Sequence, residues 1–419
     1  MTNYTIAFLS GKGGSGKTTL ALSMASLLAE CGLKVLLIDC DLNTNGATYF
    51  FEKELANYED QDLISFSALR SPSQWNRLQE MKALTASYDF VPSVTKINTE
   101  LGAFPKLTVS EQLMFNKTIA SFKKQYNFIL FDCQAGYNDA LELIMPCVDL
   151  SLTVMEADAV SSSAARALFW RIGRYMQNKD SFQIFNKATS EEREIYSKVS
   201  GGTLFTNLGC ISFDWQVRKA FSMLNAPSIN NLGLEYIKQL YQLCRDLFGD
   251  SNTLNSLKVF QTKIEILETI EEEDKVMAKI ESISDSLSND KNDDTLHKRV
   301  ISALSLIFPI LSIIAALTVL IISSVENGFD FSQLTIALSV FFILAFMYLS
   351  FWILQKKRDE KYQKTAKKIT LSKLENEINN IREKKSSLEK RYAQQQRTVK
   401  KTDANKTINV RQKIKMKDL

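Results

Sequence analysis

Nine consecutive residues carry the clearest chemistry in the chain: Gly11-Lys12-Gly13-Gly14-Ser15-Gly16-Lys17-Thr18-Thr19. Glycines, having no Cβ, let backbone N–H groups turn inward around a polyphosphate. Lys17 is then placed to reach the β- and γ-phosphates, and the Thr18 hydroxyl to ligate Mg²⁺. A glycine-rich turn alone is no site, since such turns occur in many loops. Here the loop follows a short apolar run, Ile6 to Leu9, and precedes Leu20 to Glu30, whose apolar residues recur at helical spacing. Strand, loop and helix are the context a P-loop requires, and the helix presents its positive end to the same anion. Gly11, Gly13, Gly14, Ser15, Gly16, Lys17, Thr18 and Thr19 are therefore the expected nucleotide-binding set.

Acidic residues stand at the ends of two further apolar runs. Asp39-Cys40-Asp41 follows Lys34 to Ile38, and Asp132 closes Phe128-Ile129-Leu130-Phe131. A carboxylate at the carboxyl end of a strand beside a P-loop can hold Mg²⁺ through water, the role expected of Asp132, or orient a water molecule. Asp41 has a plainer reading as a turn or helix-cap residue. Glu156 and Asp158 follow another strand and face the same crevice rim, with no role assigned by the sequence.

The elements that must position these residues read as an α/β domain. Over residues 1–250, short β-rich runs alternate with helical stretches, which predicts a mostly parallel sheet covered by helices on both faces. Strands are expected at Thr5–Leu9, Lys34–Asp39, Phe90–Pro92, Asn127–Asp132, Leu150–Val154, Gln183–Asn186 and Gly209–Phe213. Helices are expected at Lys17–Glu30, Val109–Lys124, Ser161–Gln177, Trp215–Met223 and Leu234–Phe248.

Lys12 gives the loop the form K-G-G-x-G-K-T, which resembles the deviant Walker A of the ParA/MinD ATPases. Spacing alone shows an extra cation near the phosphates, which a solvated loop lysine could equally be. The resemblance covers roughly residues 1–248 and implies ATP and Mg²⁺ as ligands. It also implies an ATP-sandwiched homodimer in which Lys12 reaches the nucleotide of the partner subunit. It makes Lys12, Lys17 and Asp41 the catalytic set, with Asp41 positioning the attacking water. Thr18, Asp39 and Asp132 become the metal side, Asp39 in support. Asn186 is similar to an asparagine that relatives place on the adenine edge, although an Asn-Lys pair after a strand is often only a turn. The sequence departs from the family at Leu42-Asn43, where Pro-Gln is usual. It departs again in Cys133-Gln134-Ala135-Gly136, where Gln134 replaces a proline in the switch.

Composition bounds the alternatives. The 419 residues include one histidine, His297, so His-based metal clusters and Ser-His-Asp catalysis are excluded. Six cysteines form no C-x-x-C pair and read as reduced thiols. The N-terminus runs straight into the first strand and reads as carrying no signal peptide. The net charge of +4 hides an asymmetry: from Gln355 onward there are 21 Lys/Arg against 8 Asp/Glu. An acidic body with a basic tail points to a polyanionic surface.

The C-terminal part reads as five segments. Residues 251–299 hold 7 Lys/Arg and 11 Asp/Glu with apolar residues at helical spacing, an acidic helical stalk. Residues 300–325 and 331–355 contain no charged residue, and each exceeds the ~20 residues that cross a bilayer core. They are expected to form a two-helix transmembrane hairpin; a buried helical hairpin of a soluble protein is the alternative. Basic flanks at Lys298, Arg299, Lys356, Lys357 and Arg358 put both termini and the ATPase domain in the cytoplasm, under a cell (inner) membrane crossed twice. Residues 356–397 read as a basic, coiled-coil-like helix with a short seam at Leu374, Ile378, Ile381, Lys385, Leu388 and Tyr392, interrupted by Lys385. It lies against the acidic stalk, binds anionic headgroups, or is merely solvated. Residues 398–419 read as a disordered polar tail.

The function expected is a membrane-anchored, Mg²⁺-dependent ATPase that dimerises with ATP and recruits or positions an unidentified protein partner. A nucleotide-gated scaffold with little turnover is the second reading. A tyrosine kinase of polysaccharide export is disfavoured by segment order and by a tail holding only Tyr362 and Tyr392. Nucleic-acid binding is possible through the basic tail but less favoured.

Overall fold

A computed structural model describes residues 3–58, 64–70, 87–96, 108–196, 204–249, 253–286 and 331–415. Two compact units divide the chain: residues 1–267 together with 388–419, and residues 268–387.

The first unit is built on one seven-stranded sheet. Its strands are β1 (Tyr4–Leu9), β2 (Val35–Cys40), β3 (Asp89–Val91), β4 (Phe128–Cys133), β5 (Leu150–Met155), β6 (Asp180–Ala188) and β7 (Thr206–Ser212). All pairings are parallel, in the order β3-β2-β4-β1-β5-β6-β7. The strands β2, β4 and β5 are buried along their whole length, which explains their nearly continuous apolar runs. Edge strand β7 is mostly half-exposed and correspondingly more polar.

Successive residues of β1 feed opposite layers, as a period of two demands. Ile6 and Phe8 join one core with α1 (Lys17–Glu30) and, further along, a helix over Leu234–Leu247. Ala7 and Leu9 join the other core, with α2 (Val109–Phe122), α3 (Asp139–Ile144) and α4 (Ala159–Ile172). Three of these helices start on side-chain caps visible in the sequence: Thr108 with Glu111 in a capping box, Asn138, and Asp158. Later helices include α5 (Ser190–Tyr196), α6 (Trp215–Ser222), α7 (Leu234–Leu247), α8 over residues 253–286, and α9 (Phe331–Lys415). Leu257, Phe260 and Ile264 of α8 are buried in the first core, so that end of the acidic helix belongs to the α/β unit.

Strand order places the functional loops. The chain passes from β1 to β2 on one side and reaches β5 on the other, with β4 inserted beside β1. The crevice at the carboxyl ends of β1, β2 and β4 is a topological switch point, where open α/β sheets bind ligands.

The C-terminal expectations need correction. Residues 331–355 are helical but are not a separate element. They begin α9, an 85-residue helix that continues through the charged segment after Gln355. Among the described residues no helix is long and apolar enough to cross a membrane, which overturns the two-span inner-membrane placement. The first apolar segment, 300–325, lies outside the described residues. The helix also runs on past Thr398 to Lys415, where the composition reads as disorder. Within the second unit, Ile378 and Ile381 of α9 are buried against Val276 of α8, with Ile280 and Leu374 packed around them. Glu273 pairs there with Arg382 at 2.8 Å and Lys385 at 3.5 Å, and Glu272 with Lys384 at 3.7 Å. The basic helix thus uses part of its charge on the acidic one.

Candidate nucleotide and metal site

The loop between β1 and α1 has the geometry an anion needs. Gly14 and Gly16 have φ of +83° and +85°, a region open to glycine at no steric cost. Gly16 is the N-cap of α1 and supplies no side-chain cap, so the first N–H groups of that helix are left for another acceptor. Gly13 and Gly14 are exposed, at the loop's outer rim. Gly11 is constrained differently: a Cβ there would lie 2.2 Å from the Ala164 backbone of α4.

Lys17 is buried and its Nζ stands 2.5 Å from Oδ1 of Asp132, itself fully buried at the end of β4. Burial alone lowers the pKa of an ammonium, but the charge and hydrogen bond of Asp132 outweigh it and hold Lys17 above its ordinary value. The second carboxylate oxygen of Asp132 is buried with no hydrogen-bond partner among the described residues. An ionised oxygen in that position costs free energy unless a donor or cation meets it.

Asp39 sits opposite Asp132 in register on β2. Both of its oxygens are occupied: Oδ1 accepts the Asp41 N–H at 2.9 Å, and Oδ2 accepts the N–H and hydroxyl of Thr48 at 2.8 and 2.7 Å. Burial, followed by the Asp132 charge, pushes the Asp39 carboxyl up to about 7. Asp41, also buried, accepts the N–H groups of Asn43 and Thr44 on Oδ1 and the Thr44 hydroxyl on Oδ2.

The donor set fits Mg²⁺. Asp132 keeps one oxygen without a partner among the described residues, a place that a metal-bound water can fill. The backbone of Gly46 passes Thr18 so closely that a Cβ would sit 3.1 Å from its hydroxyl. No group of three or more His, Cys, Asp or Glu able to hold a metal exists among the described residues. That too is compatible with Mg²⁺, which keeps several waters and takes one or two protein ligands plus phosphate oxygens. Of the three residues expected on the metal side, Asp132 has an oxygen without a partner among the described residues, Thr18 lies beside the Gly46 backbone, and both Asp39 oxygens are taken up by Thr48 and Asp41.

Lys12 lies elsewhere. Its Nζ is 3.0 Å from both Glu156 and Asp158, the two rim acids that the sequence left without a role. Asp158 also caps α4 through Ser161, and its carboxyl is held well below the usual range by the Ser161 N–H, the Ser161 hydroxyl and then Lys12. Glu156 pairs in addition with Lys187 at 3.0 Å. Lys187 adopts φ +60° and also donates to the Gly14 carbonyl. Neighbouring Asn186 is buried, and its amide donates to the Ser15 carbonyl at 2.9 Å. In this arrangement the Asn186-Lys187 pair braces the loop. The switch is stitched to the same place, the Gly136 N–H donating to the Ser10 carbonyl at 2.8 Å with φ of +76° at Gly136.

Thr48 and Ser93 escaped the sequence reading. Ser93 meets Thr48 at 2.9 Å and donates to Asn45 at 2.7 Å, completing the buried network behind Asp39. No local pattern marks a partner 45 residues away.

Residues 3–184 match the AAA domain family model. The chain is 31% identical over 164 residues to the cell division protein PomZ of Myxococcus xanthus (strain DK1622), covering 39% of this chain and 49% of that protein. It is 30% identical over 131 residues to the chromosome-partitioning ATPase Soj of Treponema pallidum (strain Nichols), covering 31% and 47%. The chain thus spans about half the length of the curated relatives it matches. The solved structure of the septum site-determining protein MinD complexed with Mg-ADP from Pyrococcus horikoshii OT3 overlaps at 18% identity, with a TM-score of 0.42, over 59% of this chain and 97% of that one. That likeness carries no argument about function. The family-model match lies in the N-terminal part of the chain, which contains the β1–α1 loop.

Proposed function

We propose that the chain is a Mg²⁺-dependent ATPase of the ParA/MinD class whose nucleotide-dependent self-association regulates the recruitment or positioning of a protein partner. One observation carries the reading: the buried Lys17–Asp132 pair beside the loop, with one Asp132 oxygen unpartnered among the described residues. An incoming triphosphate offers Lys17 a new counter-charge and leaves Asp132 free to take metal-bound water. The backbone N–H groups of residues 13–17 bind the phosphates, and Thr18 with Asp132 holds Mg²⁺, which neutralises charge on the phosphoryl oxygens. Asp41 orients the attacking water. Positioning and charge neutralisation are most of what phosphoryl transfer asks of a protein.

A second reading, a nucleotide-gated scaffold with little turnover, has its own support. Lys12 is held within its own chain by Glu156 and Asp158, and both oxygens of Asp41 are engaged in a turn. Steady-state phosphate release separates the two. The ATPase reading expects Mg²⁺-dependent turnover in the wild-type chain that is lost in Asp41→Asn; ATP binding without turnover leaves the scaffold.

A further inference from the structure

The turn after β2 contains a contact that the motif does not supply. Thr44 Oγ1 donates to Oδ2 of Asp41 at 2.5 Å, while the Asn43 and Thr44 N–H groups hold Oδ1 at 3.2 and 2.9 Å. The two backbone donors anchor one oxygen; among the described residues, only the Thr44 hydroxyl fixes where the other points. Thr44 itself is exposed, so this hydroxyl is not there to fill a core. The next residue, Asn45, holds φ +52° and is tied to Ser93, which fixes the turn from behind. Gly46 then brings the turn against the P-loop. Its Cβ position lies 3.1 Å from the Thr18 hydroxyl and 3.8 Å from the Thr44 hydroxyl, so the two hydroxyls are under about 7 Å apart. The Thr44–Asp41 pair therefore faces the Thr18 side of the loop.

We propose that Thr44 is a positioning residue for Asp41, its hydroxyl setting the carboxylate's orientation toward the water that attacks the nucleotide. The inference rests on the ATPase reading above. Without the hydroxyl, Oδ2 can swing about the anchored Oδ1, and a misplaced reacting group slows chemistry without weakening substrate binding.

The test compares wild type, Thr44→Val and Thr44→Ser in the full chain, measuring labelled-ATP affinity, kcat, KM and the thermal unfolding midpoint. In Thr44→Val, kcat should fall about tenfold or more while KM and ATP affinity stay within about twofold. Thr44→Ser should restore kcat to within about twofold of wild type, because it returns the donor. Unchanged kcat in Thr44→Val overturns the proposal. So does a parallel loss of affinity and turnover, or a serine variant as slow as valine. A wild-type chain that fails to bind labelled ATP, or binds it without turnover, defeats the ATPase reading and this inference with it.

Discussion

Asp39 and Asp132 face each other across β2 and β4, with the Lys17 ammonium paired to Asp132. An unfolded aspartate titrates near ~3.9, whereas burial and the neighbouring charge push Asp39 up to about 7. Between those values the folded chain holds a proton that the unfolded chain has lost. The stability Asp39 contributes is therefore full below about pH 4 and disappears as pH rises through about 7. In buffer free of nucleotide and Mg²⁺, the unfolding midpoint should carry a falling contribution between about pH 4 and 7, and that slope should flatten in Asp39→Asn. The variant will be less stable throughout, since its amide NH₂ must face a donor of Thr48 or Asp41; the diagnostic is the slope. A slope identical to wild type would remove the burdened carboxyl from the account. At this scale the sequence was legible where the chemistry is contiguous, as in the loop and at Asp132. It was silent where partners are far apart. Nothing local announces that Lys12 rests on Glu156 and Asp158, 144 and 146 residues on, or that Asn186 holds the Ser15 carbonyl.

Among the elements, the β1–α1 unit shows how one glycine differs from another. Gly11 lets the loop touch α4, where a Cβ would meet the Ala164 carbonyl carbon at 2.2 Å and its oxygen at 2.5 Å. Backbone cannot rotate away as a side chain can, so the loop or helix must shift. Gly13 has nothing within 4 Å of its Cβ position. Gly11→Ala should therefore lose about 1–3 kcal/mol of folding stability, the range of an overpacked site. Gly13→Ala should unfold within about 0.5 kcal/mol of wild type, as substitutions away from packed features do. Denaturant titration of both variants checks this, and equal midpoints would contradict the close approach. The sheet and its main helices were legible because buried parallel strands are apolar runs and the covering helices keep their stripes and caps. The short helices at Asp139–Ile144 and Ser190–Tyr196 were not, since six or seven residues hold too few turns for a period.

For the molecule as a whole, the tail was the hardest part to read. Two uncharged runs satisfied a length criterion for crossing a bilayer, yet no described helix is long and apolar enough to do so. Hydropathy measured along the chain does not say what an apolar residue meets in space. Where the acidic and basic helices do meet, in the second unit, the contact is a small apolar seam at Val276, Ile378 and Ile381 flanked by ion pairs. Complementary charge was legible; the partner residues were not. The proposed function depends on a grip of the loop and Lys17 on a triphosphate. Equilibrium binding of labelled ATP with Mg²⁺, in wild type and in a Lys17→Ala variant shown by circular dichroism to be folded, tests that grip directly. Saturable binding in the wild type and its loss in the variant are the predicted result. Equal affinity in the two chains, or no binding by the wild type, would contradict it.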